Sequence, residues 1–397
     1  MVQTPLSVLT VLVLVLAGLF LLQQNPVGRK LFSVVPLLVF CYFVPALLSN
    51  LGVLPAESEL YVFIRRVLLP ASLVLLVLST DIPAVVSLGR DAVVLFLAGT
   101  ASIALGGPLA FLALGWMFPE EALDQAWRGL AALAGSWIGG GANFVAVGES
   151  TGATAATMSL MVVVDVAVAN VWTAALLFFA GRERVMDERI GADRTRIDEV
   201  RARVEEYQTE VARPVNLADM LLILAIGLGV TGIVTWLARY LPDIGTIING
   251  FTWTVCLVTA VGVALSFTRL RRLEGAGAST VGSVFLYLLV ATIGASAQFS
   301  HVADNLPLLA VGASWMLFHA AAMLLVRRLL RAPVFFLAVG SQANVGGAAS
   351  APVVAAAFHP ALAPVGVLLA VLGYVLGTYA GILDALVLQQ IARLYGG

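Results

Sequence analysis

The sequence predicts an all-α polytopic membrane protein made of two repeats. Of its 397 residues, 60% are hydrophobic and only 11% are charged, whereas soluble domains carry about 25% charged residues. Long apolar segments recur along the chain, and similar glycine-rich motifs occupy corresponding places in its two halves. The net charge of −1 does not favour a nucleic-acid partner. The two cysteines lie in apolar segments and cannot build a disulfide scaffold.

Each helical element is justified by its length and composition. A helix that crosses about 30 Å of hydrocarbon needs about 20 apolar residues. Segments close to that length lie at residues 6–22, 31–49, 61–79, 92–117, 127–148, 152–180, 216–239, 244–267, 279–298, 305–327, 332–357 and 363–394. No basic residue precedes the first segment and no small-residue cleavage site follows it. We therefore expect mature structure there rather than a signal peptide.

A charged linker (181–215), which we expect to be cytoplasmic, divides the chain into a first transmembrane repeat (1–180) and a second (216–397). Between Arg182 and Arg213 there are eight arginines and nine acids, in the one long polar stretch of the sequence. Apolar residues recur there at spacings of three and four, which predicts a short amphipathic helix; they are Ile197, Val200, Val204, Tyr207 and Val211. This helix either lies against the protein or forms a contact in a homodimer.

The fifth element of each half contains a cluster of glycines. "GSWIGGGANFVAV" begins at Gly135 and "GSQANVGGAASAPV" begins at Gly340, so each motif opens with Gly-Ser and leads to glycines and an alanine. Glycines that unwind a helix in lipid leave backbone groups unsatisfied, at several kcal/mol each. We expect a polar ligand to compensate, since half-helix N-termini bind anions and free carbonyls bind cations. The alternative is close helix packing by small residues.

These motifs supply the candidate substrate site. Its members are glycines of the expected breaks and the neutral polar side chains beside them: Ser136, Gly139, Gly140, Gly141, Asn143, Ser341, Gln342, Asn344, Gly346, Gly347 and Ser350. Hydroxyl and amide oxygens of this kind suit a small polar solute or a sodium ion.

An acidic residue follows the first break, inside the next span. Asp165 lies near the middle of an apolar segment, and a carboxylate at that depth costs at least about 2.5 kcal/mol, so it is expected to have a function or a buried partner. The candidates for ion coupling are Asp165, Asn170, Tyr374 and Thr378, and the candidate sodium ligands are Asp165, Asn143 and Asn344. We expect no other cofactor and no enzymatic activity.

The distribution of basic residues favours inverted repeats. If the fifth element of each half dips in and returns, Arg29, Lys30, Arg90, the linker and the arginines at 269–272 and 327–331 all face the cytoplasm, which obeys the positive-inside rule. If all twelve elements cross, the repeats are parallel and these residues are divided between the two sides. The positions of the basic residues therefore favour inverted repeats with ten spans, and twelve spans stay the alternative.

The motifs resemble those of a known family. "GGGANFVAV", "VDVAVANVWTAALL", the charged linker and "SQANVGGAASAPVVAAAF" are similar to those of the YjcL-like membrane proteins, a family of unknown function grouped with cation:proton antiporters and anion transporters. The resemblance covers nearly the whole chain. It implies an elevator-type carrier in the plasma (bacterial inner) membrane, with a scaffold made of the early elements of each half and a mobile core that holds the broken ones.

The resemblance implies no substrate. The neutral polar side chains at the breaks, with no Arg or Lys beside them, favour an ion-gradient-driven symporter of a small polar or anionic metabolite, such as an organic acid, amino acid or small peptide. The alternative is a cation/proton antiporter. Electrogenic members of that grouping carry two adjacent acids, but here Asn170 is the nearest polar residue to Asp165. This departure favours symport. No Walker motif occurs in the sequence, which favours an ion gradient over ATP as the energy source.

A remote alternative is an intramembrane serine hydrolase. "GESTG" at residues 148–152 matches the nucleophile-elbow pattern, with Ser150 as the nucleophile. The pattern requires a strand-to-helix turn and a histidine nearby, and nothing in the sequence ties His301, His319 or His359 to Ser150. Short motifs of this kind often arise by chance.

Overall fold

The computed structural model describes residues 4–34, 37–78, 82–200, 202, 214–296, 306–359 and 362–396. Within these ranges the elements are helices, and no strand occurs beyond one isolated bridge between Ile244 and Ile248. Eight of the described helices are long and apolar enough to cross a membrane. The number is nine if Gly250–Ser266 and Arg269–Ala276, which meet at 96°, form one bent span. The protein is therefore an all-α, multi-span membrane protein, as predicted.

Nine α-helical elements lie in the described residues of the first half. They are α1 (Pro5–Gln24), α2 (Pro26–Val34), α3 (Leu37–Asn50), α4 (Glu59–Leu78), α5 (Ile82–Ser87), α6 (Arg90–Leu114), α7 (Glu120–Gly139), α8 (Gly141–Thr151) and α9 (Ala155–Ala180). The predicted segment 31–49 is covered by parts of α2 and α3, and residues 35–36 between them lie outside the described residues. A π-helical turn at Ile64–Leu68 interrupts α4.

In the described parts of the linker and the second half we number eight more. They are α10 (Glu183–Glu188), α11 (Leu217–Ala238), α12 (Gly250–Ser266), α13 (Ala278–Ala295), α14 (Leu306–Leu330), α15 (Val334–Val345), α16 (Gly347–Phe358) and α17 (Ala363–Tyr395). Residues 195–200 of the linker are also helical, and Val200 is buried. Val204, Tyr207 and Val211 of the predicted amphipathic helix lie outside the described residues.

Polar residues mark where several helices begin. The side chains of Thr4, Thr154, Asn216 and Asn249 each accept a hydrogen bond from a backbone N–H in the first turn of the helix that follows. A helix leaves these N–H groups without an intrahelical partner, and the cap satisfies one of them. The boundaries of these apolar helices are thus determined locally.

The helices pack into two groups. Early helices of both halves pack together, with α4 against α11, α12 and α13 and α3 against α13. Late helices of both halves form the other group, in which α6 packs against α14 and α15, α7 against α8 and α17, and α16 against α17. The groups meet where α4 and α12 contact α8 and α17. Both broken elements, α7–α8 and α15–α16, lie in the second group.

The linker is fastened to the second group by ion pairs. The Oδ1 atom of Asp187 accepts hydrogen bonds from Nη2 of Arg327, at 2.9 Å, and from the backbone N–H of Val334, at 2.8 Å. Farther along the linker, Arg196 donates to Oδ2 of Asp91 at 2.6 Å, and this hydrogen bond raises the pKa of Arg196. The described part of the linker is therefore held at the ends of α14 and α15 and at the start of α6.

Candidate functional site

The breaks predicted from the glycine motifs lie where two pairs of helices are interrupted. The first falls at Gly140, between α7 and α8, and the second at Gly346, between α15 and α16. Gly140 and Gly347 adopt φ angles of +76° and +59°, a region that favours glycine because it has no Cβ. A Cβ placed on Gly347 would lie 3.6 Å from the Cα of Gly140. The two breaks are thus in direct contact.

Asp165 on α9 contacts the first break. Its Oδ2 accepts a hydrogen bond from the hydroxyl of Ser136 at 2.8 Å, and its Oδ1 accepts one from Nε1–H of Trp137 at 2.7 Å. Both donors belong to the last turn of α7, directly before Gly140. The structure therefore brings the predicted coupling acid to the broken helix, and it adds Trp137, which the sequence reasoning did not single out.

The same helix, α9, also reaches the second break. Nε1–H of Trp172 donates to Oγ of Ser341 at 2.7 Å, and the hydroxyl of Thr173 donates to Oε1 of Gln342 at 3.1 Å. The Nε2 atom of Gln342 in turn donates to Oγ of Ser350, at 2.7 Å, across the break. Helix α9 is therefore shared by both breaks, and most of the predicted polar residues are joined to it.

Asn143 fastens the first break to α17. Its Nδ2 donates to the carbonyl oxygens of Gly139, at 3.0 Å, and Tyr374, at 3.1 Å. Its Oδ1 accepts a hydrogen bond from the hydroxyl of Thr378 at 2.6 Å. Tyr374 therefore contributes its backbone carbonyl, and Thr378 contributes its side chain, to the same asparagine.

Asn344 fastens the second break to α6 in the same manner. Its Nδ2 donates to the carbonyl oxygens of Gly340, at 2.9 Å, and Phe96, at 3.0 Å. Its Oδ1 accepts a hydrogen bond from the hydroxyl of Thr100 at 2.7 Å. Each asparagine thus bonds a carbonyl four residues back and a carbonyl and threonine of a neighbouring helix.

A repeated sequence pattern builds the two asparagine sites. Residues 96–100 read "FLAGT" and residues 374–378 read "YVLGT", an aromatic residue followed three positions later by Gly-Thr. The glycine lets the helix approach the amide, since a Cβ on Gly99 or Gly377 would lie 2.8 or 2.7 Å from Nδ2 of the facing asparagine. The sequence analysis missed this pattern, although it is visible in the sequence.

A buried histidine completes the polar network and was also missed. His319 on α14 is fully buried, with Nδ1 at 2.7 Å from Oγ of Ser102 and Nε2 at 2.7 Å from Oγ of Ser341. Because the hydroxyl of Ser102 donates to the carbonyl of Gly99, we assign the ring proton to Nδ1, so that Nε2 accepts from Ser341. A histidine inside a long apolar helix is the signal that could have identified it.

The predicted sodium ligands differ in how many lone pairs they have free. The side-chain oxygens of Asn143 and Asn344 each already accept a hydrogen bond, and an amide oxygen has two lone pairs whereas an ionised carboxylate has about four. Asp165 accepts two hydrogen bonds and so retains the most capacity. Among the described residues, no group of three or more His, Cys, Asp or Glu side chains could hold a metal ion.

The remaining candidates are placed less tightly. Asn170 is half-buried on α9, and its side chain is not joined to either break by the hydrogen bonds that hold Asp165 and Trp172. Gly346 approaches Ser350 so closely that a Cβ would lie 1.8 Å from its Oγ. The hydroxyl of Ser150 is buried and has no hydrogen-bond partner among the described residues.

Comparison with known proteins identifies the family. A family model described as "Protein of unknown function (DUF819)" matches residues 11–391. The chain is also similar to the uncharacterized membrane protein YjcL of Bacillus subtilis (strain 168), with 26% identity over 352 residues, which cover 84% of this chain and 85% of that protein. These matches confirm the resemblance seen in the glycine-rich motifs, and the chain belongs to the DUF819 family of membrane proteins.

Proposed function

We propose that the protein is a secondary active transporter, a sodium- or proton-coupled symporter of a small polar or anionic metabolite in the plasma (bacterial inner) membrane. One observation carries the proposal: two interrupted helices meet at their breaks, and a third helix that carries a half-buried carboxylate, Asp165, contacts both. Interrupted helices in corresponding positions of two halves are the usual binding site of transporters with internal repeats.

The chemistry of the site supports ion coupling at Asp165. Its carboxylate is held by two neutral donors, Ser136 and Trp137, rather than by a cationic side chain. A sodium ion or a proton would neutralise it, and the ion would then contribute to the free energy of solute binding at the adjacent break. Symport remains favoured over cation/proton antiport because Asp165 has no adjacent acid.

The packing of the helices supports an elevator-type mechanism. The early helices of each half form one group, and the helices that contain the breaks form the other. Such a division gives a scaffold and a core that could slide past each other. Inverted repeats related by an axis in the membrane plane would then expose the site to each side in turn.

A ligand screen tests the proposal and identifies the substrate at the same time. The purified protein is heated with pools of organic acids, amino acids and small peptides, in sodium chloride or choline chloride. Compounds that raise the unfolding temperature are then assayed for gradient-driven uptake into proteoliposomes. We expect at least one compound whose stabilising effect and uptake both depend on sodium or on a proton gradient.

Asp165→Asn is the decisive variant in this assay. It should unfold at a temperature close to that of the wild type but lose the dependence of uptake on the ion gradient. The control is Asp243→Asn, because Asp243 is exposed in a loop. Gradient-driven uptake that survives undiminished in Asp165→Asn would refute the assignment of the coupling site.

A further inference from the structure

Several buried polar atoms of the described residues lack a hydrogen-bond partner, and two of them belong to the neighbouring helices α8 and α17. Asp384 on α17 is 5% exposed and Ser150 on α8 is 1% exposed. Neither Oδ2 of Asp384 nor Oγ of Ser150 has a hydrogen-bond partner among the described residues. Buried polar groups are nearly always hydrogen-bonded, so each exception calls for an explanation.

The register of α8 and α17 places these two groups opposite each other. A Cβ on Gly377 would lie 2.7 Å from Nδ2 of Asn143, and a Cβ on Gly381 would lie 2.7 Å from Cγ2 of Val147. The two helices therefore run parallel along the interface, and a step of four residues on α8 corresponds to a step of four residues on α17. Three residues beyond the second contact come Ser150 on α8 and Asp384 on α17.

Helical geometry keeps both residues on the contacting faces. Positions separated by four and seven residues lie on one face of a helix, because seven residues complete nearly two turns. Asn143, Val147 and Ser150 have this spacing, and so do Gly377, Gly381 and Asp384. The register thus places Asp384 and Ser150 at matching positions of a tightly packed helix pair, with no hydrogen bond between Oδ2 of Asp384 and Oγ of Ser150.

The charged residues beside this position are already paired. Helix α7 carries Arg128, which donates to Asp124 and to the carbonyl of Thr151, and α8 carries Glu149, which pairs with Arg65 at 3.2 Å.

The other helices packed against α17 add no charge here. Helices α12, α15 and α16 contain no charged residue. The part of α4 that packs against α17 is Leu69–Leu78, which contains none either, because the charges of α4 lie before it at Glu59, Arg65 and Arg66. The charges of α6 are Arg90 and Asp91, at its start. The opposite end of α6 leads to Gly115, which lies against Tyr395 near the end of α17. The charged end of α6 is therefore far from the end of α17. No protein cation therefore neutralises Asp384 among the residues placed beside it.

We propose that Asp384 and Ser150 form a second cation site, separate from Asp165, that takes one positive charge as a sodium ion or a proton. A buried carboxylate with no counter-ion is so unfavourable that it binds a cation or becomes protonated. The hydroxyl of Ser150 supplies either an oxygen ligand for sodium or a hydrogen bond to the carboxyl group. This inference goes beyond the proposed transport function, because binding of the cation requires no substrate.

Infrared difference spectroscopy on the purified full chain tests the second site. A protonated carboxylic acid gives a carbonyl band distinct from that of a carboxylate, and we expect such a band in the wild type to be absent in Asp384→Asn and retained in Asp165→Asn. If the cation is sodium, sodium chloride will bleach the band and choline chloride will not. If the cation is a proton, the band will change with pH and not with sodium.

Ser150→Ala provides a second variant that preserves the acid. Loss of one oxygen ligand or hydrogen bond to a charged group should shift the midpoint of the sodium or proton titration by about tenfold. A band that is unchanged in Asp384→Asn, or that responds to neither pH nor sodium in the wild type, would overturn the proposal. If Asp384→Asn does not fold, an unshifted midpoint in Ser150→Ala would overturn it.

Discussion

Asn143 and Asn344 hold the two breaks in place. Each uses Nδ2 for two backbone carbonyls and Oδ1 for a threonine hydroxyl. A buried acceptor that loses its donor costs about 1–3 kcal/mol, more than the net gain from a typical hydrogen bond. The threonines therefore contribute to stability mainly by keeping the amide oxygens satisfied.

Removal of either threonine hydroxyl should destabilise the protein. We expect Thr378→Val and Thr100→Val each to lower the free energy of unfolding by about 1–3 kcal/mol, because the facing asparagine oxygen loses its donor. The measurement is thermal or denaturant unfolding of the purified protein in detergent.

Thr235→Val is the matched control for this pair. Thr235 Oγ1 is buried without a hydrogen-bond partner among the described residues, so replacement by valine should be neutral or stabilising. Equal losses in all three variants would show that the hydroxyls of Thr100 and Thr378 have no special role.

At the scale of the elements, the breaks depend on glycine for two different reasons. Gly140 and Gly347 have positive φ angles, which side chains with a Cβ rarely adopt. Gly373 and Gly377 on α17 instead permit close approach, since a Cβ there would lie 2.8 Å from the carbonyl oxygen of Ile138 and 2.7 Å from the Cα of Gly139. The geometry of the breaks therefore involves both backbone conformation and packing.

A β-branched residue at either positive-φ glycine should impair function. We expect Gly140→Val and Gly347→Val to destabilise the protein by about 1–3 kcal/mol through backbone strain, and to abolish uptake of any substrate found in the screen. Gly229→Val is the control, because a Cβ at Gly229 of α11 would meet nothing within 4 Å. If the three variants transport equally well, the breaks serve packing alone.

The linker is held by an ion pair that should be costly to break from one side. Arg327 is 5% exposed and donates to Asp187, so Asp187→Ala leaves a buried arginine unpaired. We expect a loss of about 3–5 kcal/mol in the free energy of unfolding. The control is Asp193→Ala. The side chain of Asp193 is 52% exposed, so its removal should change the free energy of unfolding little. Similar losses in both variants would contradict a special role for the Asp187–Arg327 ion pair.

At the scale of the whole molecule, distant parts of the chain converge on α9. Asp165 and Trp172, which contact Ser136 and Ser341, are seven residues apart, or about 10 Å along a helix at 1.5 Å per residue. The two Gly-Ser motifs therefore lie along one helix although about 205 positions separate them in the sequence.

This convergence predicts a crosslink. Cysteines at Ser136 and Ser341, in a background lacking Cys41 and Cys256, should be joined by a reagent that spans about 10 Å, the rise of two helical turns. Their labelling by a membrane-impermeant thiol reagent should change with sodium or substrate if the core moves. The control pair is Ser136 with Gly229, which belong to different helix groups; equal crosslinking of both pairs would indicate nonspecific reaction.

The positions of the long helices and of the two breaks could be predicted from the sequence, because both depend on local composition. Apolar runs identified the long described helices, most of them to within a few residues, because the lengths of membrane spans follow from the thickness of the bilayer. The glycine clusters located both breaks, since a helix is interrupted where a residue favours positive φ. Inverted symmetry and the choice of ten or twelve spans remain predictions.

The sequence by itself determined the class of protein, the position of its helices and breaks, and Asp165 as an exceptional residue. Only the tertiary structure decided that the breaks touch, that α9 contacts both, and that His319 links Ser102 to Ser341. These contacts join residues far apart in the chain, and helical periodicity specifies which face of a helix is polar but not which other helix that face meets. The physical reason is that tertiary packing decides which helices meet. Glycines such as Gly99 and Gly377 let one particular neighbour, the facing asparagine, approach closely.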